Sequence, residues 1–198
     1  MVKRCGVKLI VGLGNPGALY AGSRHNLGSS VIKALSRNYK IVLKNDRGVF
    51  ALTGKVKIAG QAVLLAIPLT FMNLSGMAIS ALVKKYKINL DNLLVVCDDL
   101  DLELGRLKIK ARGSPGGHRG LKSIINSLGS EGFSRLRVGI GSPAKNIDVS
   151  EYVLSPLRRK EKERAKEIIE KAIQCCRVWV EKGIVESMDI FNKREQIK

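Results

Sequence analysis

No apolar run in this 198-residue chain reaches the about eighteen residues that a membrane-spanning helix needs. The longest, Leu93–Cys97 and Ala62–Pro68, have the length of buried strands. The start, Met-Val-Lys-Arg-Cys-Gly, has no apolar segment followed by a small-residue cleavage site, so it predicts a cytoplasmic protein rather than an exported one. None of the four cysteines, Cys5, Cys97, Cys175 and Cys176, forms a C-x-x-C pair, and two are adjacent. That spacing suits neither a zinc site nor a disulfide framework and predicts free thiols. Four Phe, four Tyr and one Trp are too few for a base-stacking platform of the single-strand-binding kind. Acidic groups are scarce as well: 17 face 35 Lys and Arg, a net charge of +18.

That imbalance is the first pointer to function. The last forty-four residues hold twelve basic and eight acidic groups, so +14 of the excess belongs to Met1–Leu154. The charge lies in the body of the protein and not in a tail, as a polyanion-binding surface requires. With 45% apolar residues and no repeat, low-complexity tract or linker, residues 1–198 read as one globular domain.

Strand-like and helix-like segments alternate. Val7–Gly12, Val49–Thr53, Lys55–Ala59, Ala62–Ile67, Leu93–Cys97, Arg106–Ala111 and Leu136–Ile140 have strand patterns, with Gly60-Gln61 as a tight hairpin turn. Leu27–Asn38, Ser75–Lys87 and Leu121–Leu128 have helical spacing. Ser155-Pro156 is suited to open a long C-terminal helix, with Ser155 as its N-cap, that ends at Gly183, and a short helix follows through Met188–Phe191. The expected fold is α/β: a single domain with a mixed sheet, because the hairpin makes part of it antiparallel.

Five segments carry polar residues where chemistry can occur. Gly12-Leu-Gly-Asn-Pro-Gly17 fits G-x-G-x-x-G after a strand. A dinucleotide site, however, needs a helix to begin within the glycines and an acid about twenty residues on. Here Pro16-Gly17 makes a turn, and no acid occurs from Gly17 to Asn45. Asn15 then stands as a polar residue at a strand's C-terminal end, where α/β sheets place their sites. His25, in Ser23-Arg-His-Asn26, is one of only two histidines; it is either a surface loop residue or a general base. Asp98, ending a buried strand, suits a carboxylate that orients an imidazole. Asp98, Asp99, Asp101 and Glu103 could instead hold a divalent metal. Pro68–Gly76 contains Asn73, either a helix cap with Phe71 and Leu74 packing or an amide for a substrate carbonyl. Arg112–Lys122 is a glycine-rich basic loop whose backbone can approach a phosphate closely, but it lacks the G-K-[ST] of a P-loop. Neither G-x-S-x-G nor H-E-x-x-H is present, which removes the serine-esterase and zincin readings.

Taken in order, G-L-G-N-P-G, Tyr20 with Arg24–Asn26, Thr70–Gly76, Asp98–Asp101, Gly116–His118 and Arg135–Gly141 resemble the bacterial-type peptidyl-tRNA hydrolase family over nearly the whole chain. The resemblance implies a twisted mixed sheet flanked by helices. It also implies a monomer that cleaves the ester between a peptide and the 3′ ribose of tRNA, with no metal or other cofactor. It implies that His25 activates water, that Asp98 orients it, and that Asn15 and Asn73 hold the substrate near the scissile carbonyl. Tyr20 and Met72 would be pocket walls, and Gly116 a backbone contact to the peptide. Lys108, Lys110 and Arg137 would meet tRNA phosphates. Arg119 departs from the pattern, standing where the family commonly has Asn: a guanidinium donates only, whereas an amide also accepts. A non-catalytic RNA-binding relative on the same fold is the rival reading.

Overall fold

The structure, a computed structural model, describes residues 6–193. Its strands are β1 (Lys8–Gly12), β2 (Lys44–Asp46), β3 (Ala51–Ile58), β4 (Gln61–Pro68), β5 (Leu93–Asp99), β6 (Leu107–Lys110) and β7 (Ser134–Gly139). They form one sheet in the order β2-β3-β4-β1-β5-β7-β6. The four central strands β4, β1, β5 and β7 are parallel, and β3, β2 and β6 add antiparallel edges. The near-continuous apolar runs of β1, β4 and β5 are explained by this placement, since central parallel strands are buried on both faces.

The helices are α1 (Leu27–Asn38), α2 (Ser75–Lys85), α3 (Arg119–Leu128), α4 (Val149–Leu154), α5 (Arg159–Lys182) and α6 (Ile184–Phe191). α1 and α5 pack Val31, Ile32, Leu35, Ile168 and Ile173 against one sheet face. α2 and α3 pack Ile79, Leu82, Leu121 and Ile124 against the other. None of the helices among the described residues is long and apolar enough to cross a membrane.

Three expectations are corrected. Val49–Thr53 and Lys55–Ala59 are not separate strands: β3 runs unbroken through Gly54, which pairs with Leu65. Gly54 is there for packing, because a Cβ would press on Leu43 and Ile41. Ser155 does not cap the long helix. It ends α4, a helix the pattern did not suggest, and α5 starts at Arg159 with the Glu161 carboxylate accepting from the Arg158 backbone N–H. Phe71 and Leu74 are not buried in the core but stand exposed. As expected, the glycine run does not open a helix. Two 3-10 turns, Ala18–Tyr20 and Arg24–Asn26, separate it from α1. Gly12 and Gly28 instead allow α1 to lie directly on the sheet: a Cβ at Gly12 would overlap the Gly28 carbonyl. Cys97, Cys175 and Cys176 are free and buried, and burial pushes each thiol up, away from the reactive thiolate. Cys5 lies outside the described residues.

Arg24 ties the C-terminal helices to the turn that precedes α1. Its buried guanidinium donates to Ser155 Oγ (2.6 Å), Pro156 O (3.0 Å) and both oxygens of Glu161 (2.9 and 2.7 Å), and it stacks on Tyr152 at 4.4 Å. Burial alone would raise the Glu161 carboxyl, but the Arg158 N–H and the Arg24 guanidinium outweigh it and hold it below the usual range. Glu161→Ala should therefore cost about 2–3 kcal/mol in urea unfolding, somewhat less than a fully buried pair because Glu161 is partly exposed. The wild-type contribution is complete above the ordinary glutamate range and is lost as pH falls through the lowered folded value. Glu161→Gln should lack that acid-side loss, and stability measured from pH 7 downward checks it.

Candidate active site

The C-terminal ends of β1 and β5 open into a cleft of about 510 Å³. Open α/β sheets place ligands at this end of their strands. Nine of the eleven residues singled out in the sequence, His25, Asp98, Asn15, Tyr20, Met72, Asn73, Gly116, Arg119 and Arg137, line it.

Asp98 organises the floor. It is 3% exposed, and its Oδ1 lies 2.8 Å from His25 Nδ1 and 3.1 Å from His118 Nε2. Burial works to raise this carboxyl, but the two imidazoles, His118 ahead of His25, outweigh it and hold Asp98 well below the usual carboxylate range. An ionised carboxylate only accepts hydrogen bonds, so the proton of a neutral His25 ring sits on Nδ1. Its Nε2 keeps a lone pair.

His118 was absent from the sequence-based candidates. It is the N-cap of α3, with Nδ1 accepting from the backbone N–H of Gly120 (3.1 Å) and Leu121 (3.2 Å). An imidazole nitrogen that accepts carries no proton, so His118 bears its single proton on Nε2, facing Asp98. The G-G-H triplet was read there as a flexible phosphate loop. The usable signal was a polar residue at the position just before a helix.

Asn15 is fixed through its own backbone. Its N–H donates to Asn26 Oδ1 (2.7 Å), and Asn26 Nδ2 returns a bond to Asn15 O (3.0 Å). Asn15 Oδ1 accepts from the Met72 N–H (2.8 Å), which leaves Asn15 its Nδ2 donor for the cleft. Met72 is buried, while Asn73 is exposed on the rim. Tyr20 meets Phe71 edge-to-face at 6.4 Å. The opposite wall is α4, through Val149, Ser150, Val153 and Leu154; no α5 residue is among the lining residues described.

The proposed phosphate cations divide. Lys108 pairs in register with Arg137, and Lys110 with Arg135, so all four project on one sheet face at the β6 edge. Lys108 is exposed and Lys110 half-buried, both outside the cleft lining. Arg137 is ion-paired with Asp99 and reaches toward Asp101 (3.6 Å), so its charge is already partly committed. Arg135 is buried and donates to the carbonyls of Gly113, Ser114 and Glu131, shaping the glycine-rich loop. Gly116, at φ +54, lines the cleft there. Arg119 is exposed at the first turn of α3.

The acidic run does not make a metal site. Asp98 and Asp99 project from opposite faces of β5, and Asp99 faces Arg137. Among the described residues, the group close enough to share an ion is His25, Asp98 and His118, with ligand atoms within 4.8 Å of one another. Coordination needs a lone pair on His118 Nε2, which would move that ring's proton to Nδ1, against two backbone N–H donors. These residues therefore fit a hydrogen-bonded chain and not an ion.

A family model described as Peptidyl-tRNA hydrolase matches residues 9–198. The chain belongs to the peptidyl-tRNA hydrolase family. It is similar to peptidyl-tRNA hydrolase of Aquifex aeolicus (strain VF5), 42% identical over 191 residues, covering 96% of this chain and 99% of that one. It is likewise similar to peptidyl-tRNA hydrolase of Desulforudis audaxviator (strain MP104C), 45% identical over 186 residues, covering 94% and 93%. A crystal structure of peptidyl-tRNA hydrolase from Acinetobacter baumannii superposes with a TM-score of 0.90 at 35% identity, over 96% of this chain and 97% of that one.

In this member of the peptidyl-tRNA hydrolase family, Gly120 sets the spacing between His118 and Met72. A Cβ there would lie 2.5 Å from Met72 Sδ and 3.0 Å from His118 Cε1. Gly120→Ala should lower stability by about 1–3 kcal/mol, the usual cost of overpacking. Thermal unfolding of the variant beside the wild type checks this.

Proposed function

We propose that the protein hydrolyses the ester joining a peptide to the 3′ ribose of tRNA, with water activated by His25 and no metal. The observation that carries this reading is a buried His25 whose Nδ1 lies 2.8 Å from the Asp98 carboxylate, on the floor of a cleft rimmed by amides, an arrangement that leaves Nε2 as the nitrogen able to accept a proton. Membership of the peptidyl-tRNA hydrolase family supplies the substrate class.

The chemistry follows from the geometry. His25 Nε2 takes a proton from water as its oxygen attacks the ester carbonyl carbon. Asp98 favours the imidazolium formed, and the donors of Asn15 Nδ2 and Asn73 stabilise the negative carbonyl oxygen. The tetrahedral centre collapses with loss of the ribose 3′ oxygen, which receives the proton from His25 Nε2–H. The products are a free peptide carboxylate and a tRNA with its 3′ hydroxyl restored. An ester leaving group needs no covalent nucleophile.

Tyr20 and Met72 serve as walls for the peptide end, and Gly116 offers backbone to it. Arg119, exposed at the cleft rim, suits a phosphate of the acceptor end better than the acceptor role an Asn would fill. Lys108 and Lys110 track the tRNA backbone along the β6 edge. Arg137 adds charge there but is shared with Asp99. The substrate class supports action in the cytoplasm, and the protein is proposed to act there as a monomer.

Release of peptide from peptidyl-tRNA tests the reading. His25→Ala should lower kcat by roughly 10²–10⁴-fold while circular dichroism stays unchanged; near-normal turnover would overturn it. Saturating chelator should leave wild-type turnover intact. Replacing Lys108 and Lys110 together with Gln should weaken tRNA binding and reduce its salt slope by about 1–2, as counterion release predicts for two lost phosphate contacts.

A further inference from the structure

His118 contributes two different atoms to two different parts of the molecule, and the pairing has a chemical consequence for the base. Its Nδ1 faces the first free N–H groups of α3, those of Gly120 and Leu121, which have no acceptor inside the helix. Its Nε2 faces the same carboxylate oxygen that holds His25. The two rings lie 5.0 Å apart, tilted by 44°, both against that one oxygen of Asp98.

We infer that His118 is a positioning residue that keeps the catalytic base in its working tautomer: the α3 amides lock its proton on Nε2, and that N–H fixes Asp98 so that His25 must donate through Nδ1. The inference rests on the assignment of His25 as the base and deepens it. A carboxylate held by one donor can turn about its terminal torsion. Held at one oxygen by two donors, it presents a fixed acceptor. Which nitrogen of an imidazole bears the proton is set by the hydrogen bond that the other makes. If Asp98 rotates away, His25 is free to move its proton to Nε2, the nitrogen facing the cleft, and no lone pair remains to receive a proton from water. α3 therefore acts on catalysis through the ring that caps it.

Two substitutions separate the two roles of the ring. His118→Asn keeps an acceptor at the position of Nδ1, and Asn is a favourable N-cap, but it has no donor that reaches Asp98. His118→Gln places an amide N–H near the position of Nε2 but gives up the cap. With peptidyl-tRNA as substrate, His118→Asn should keep the wild-type Tm and KM while kcat falls about tenfold, a part of the roughly 10²–10⁴-fold that a placed acid–base group supplies. His118→Gln should keep kcat within about threefold while its Tm falls, because an N-cap worth about 1 kcal/mol is lost.

With only two histidines in the chain, ¹⁵N-labelled imidazole spectra assign themselves once His118→Asn removes one set. In the wild type, with both rings neutral, His25 should be protonated at Nδ1 and His118 at Nε2. In His118→Asn the His25 signals should move toward a mixture of tautomers. A kcat that follows Tm in both variants, or a His118 protonated at Nδ1, would overturn the inference. So would His118→Asn at full turnover with His25 wholly in the Nδ1–H form. If instead His25→Ala turns over normally, the base assignment itself fails, whatever the His118 variants do.

Discussion

A carboxylate buried at the end of an apolar strand has to be compensated, and here the compensation is the pair of imidazoles on the floor of the candidate active site. Asp98 sits where β5 stops being hydrophobic, and the low dielectric around it penalises its charge. Two imidazole N–H groups meet one of its oxygens. Each ring comes from a segment leading into a helix: His25 from the turn before α1, His118 from the N-cap of α3. Those helices pack on opposite faces of the sheet, so the carboxylate draws both layers together at the strand ends.

Much of the rest serves that junction. Gly12 and Gly28 bring α1 close enough to β1 for the Arg24–Asn26 turn to overhang β5. Asn26 and Asn15 clasp each other's chain, and Asn15 passes the constraint on to Met72. Arg24, next to the base, anchors the same turn to Ser155, Pro156 and Glu161, and so couples the α4 wall of the cleft to the position of His25. Lys108 and Lys110 project from the β6 edge, outside the cleft lining.

The parts legible in the sequence are those governed by local rules. Leu27–Asn38 was bounded correctly because its apolar spacing is helical and flanked by polar turn residues. The buried strands announced themselves as runs without charge. His25, Asp98 and Asn15 stood out as polar residues at strand ends and in the adjoining loop. What stayed hidden depends on partners distant in the chain. His118 and Asp98 are twenty residues apart and meet only because β5 and α3 are brought together by packing. The commitment of Arg137 to Asp99 follows from strand pairing between β5 and β7, which no local pattern reports. α4 is six residues long, too short for periodicity, and Ser155-Pro156 after it has the chemistry of a helix start although it ends one.

The central claim is that an ionised Asp98 keeps His25 Nε2 available as a base. The most direct measurement is single-turnover hydrolysis of peptidyl-tRNA by Asp98→Asn, with substrate affinity determined in parallel. The amide has nearly the same shape but no charge, and it can turn its own N–H toward His25. The account predicts a loss of about 10³–10⁴-fold in the hydrolytic step, as for a serine-protease triad whose aspartate becomes asparagine, with affinity nearly unchanged. A hydrolytic rate within a few-fold of wild type would contradict it.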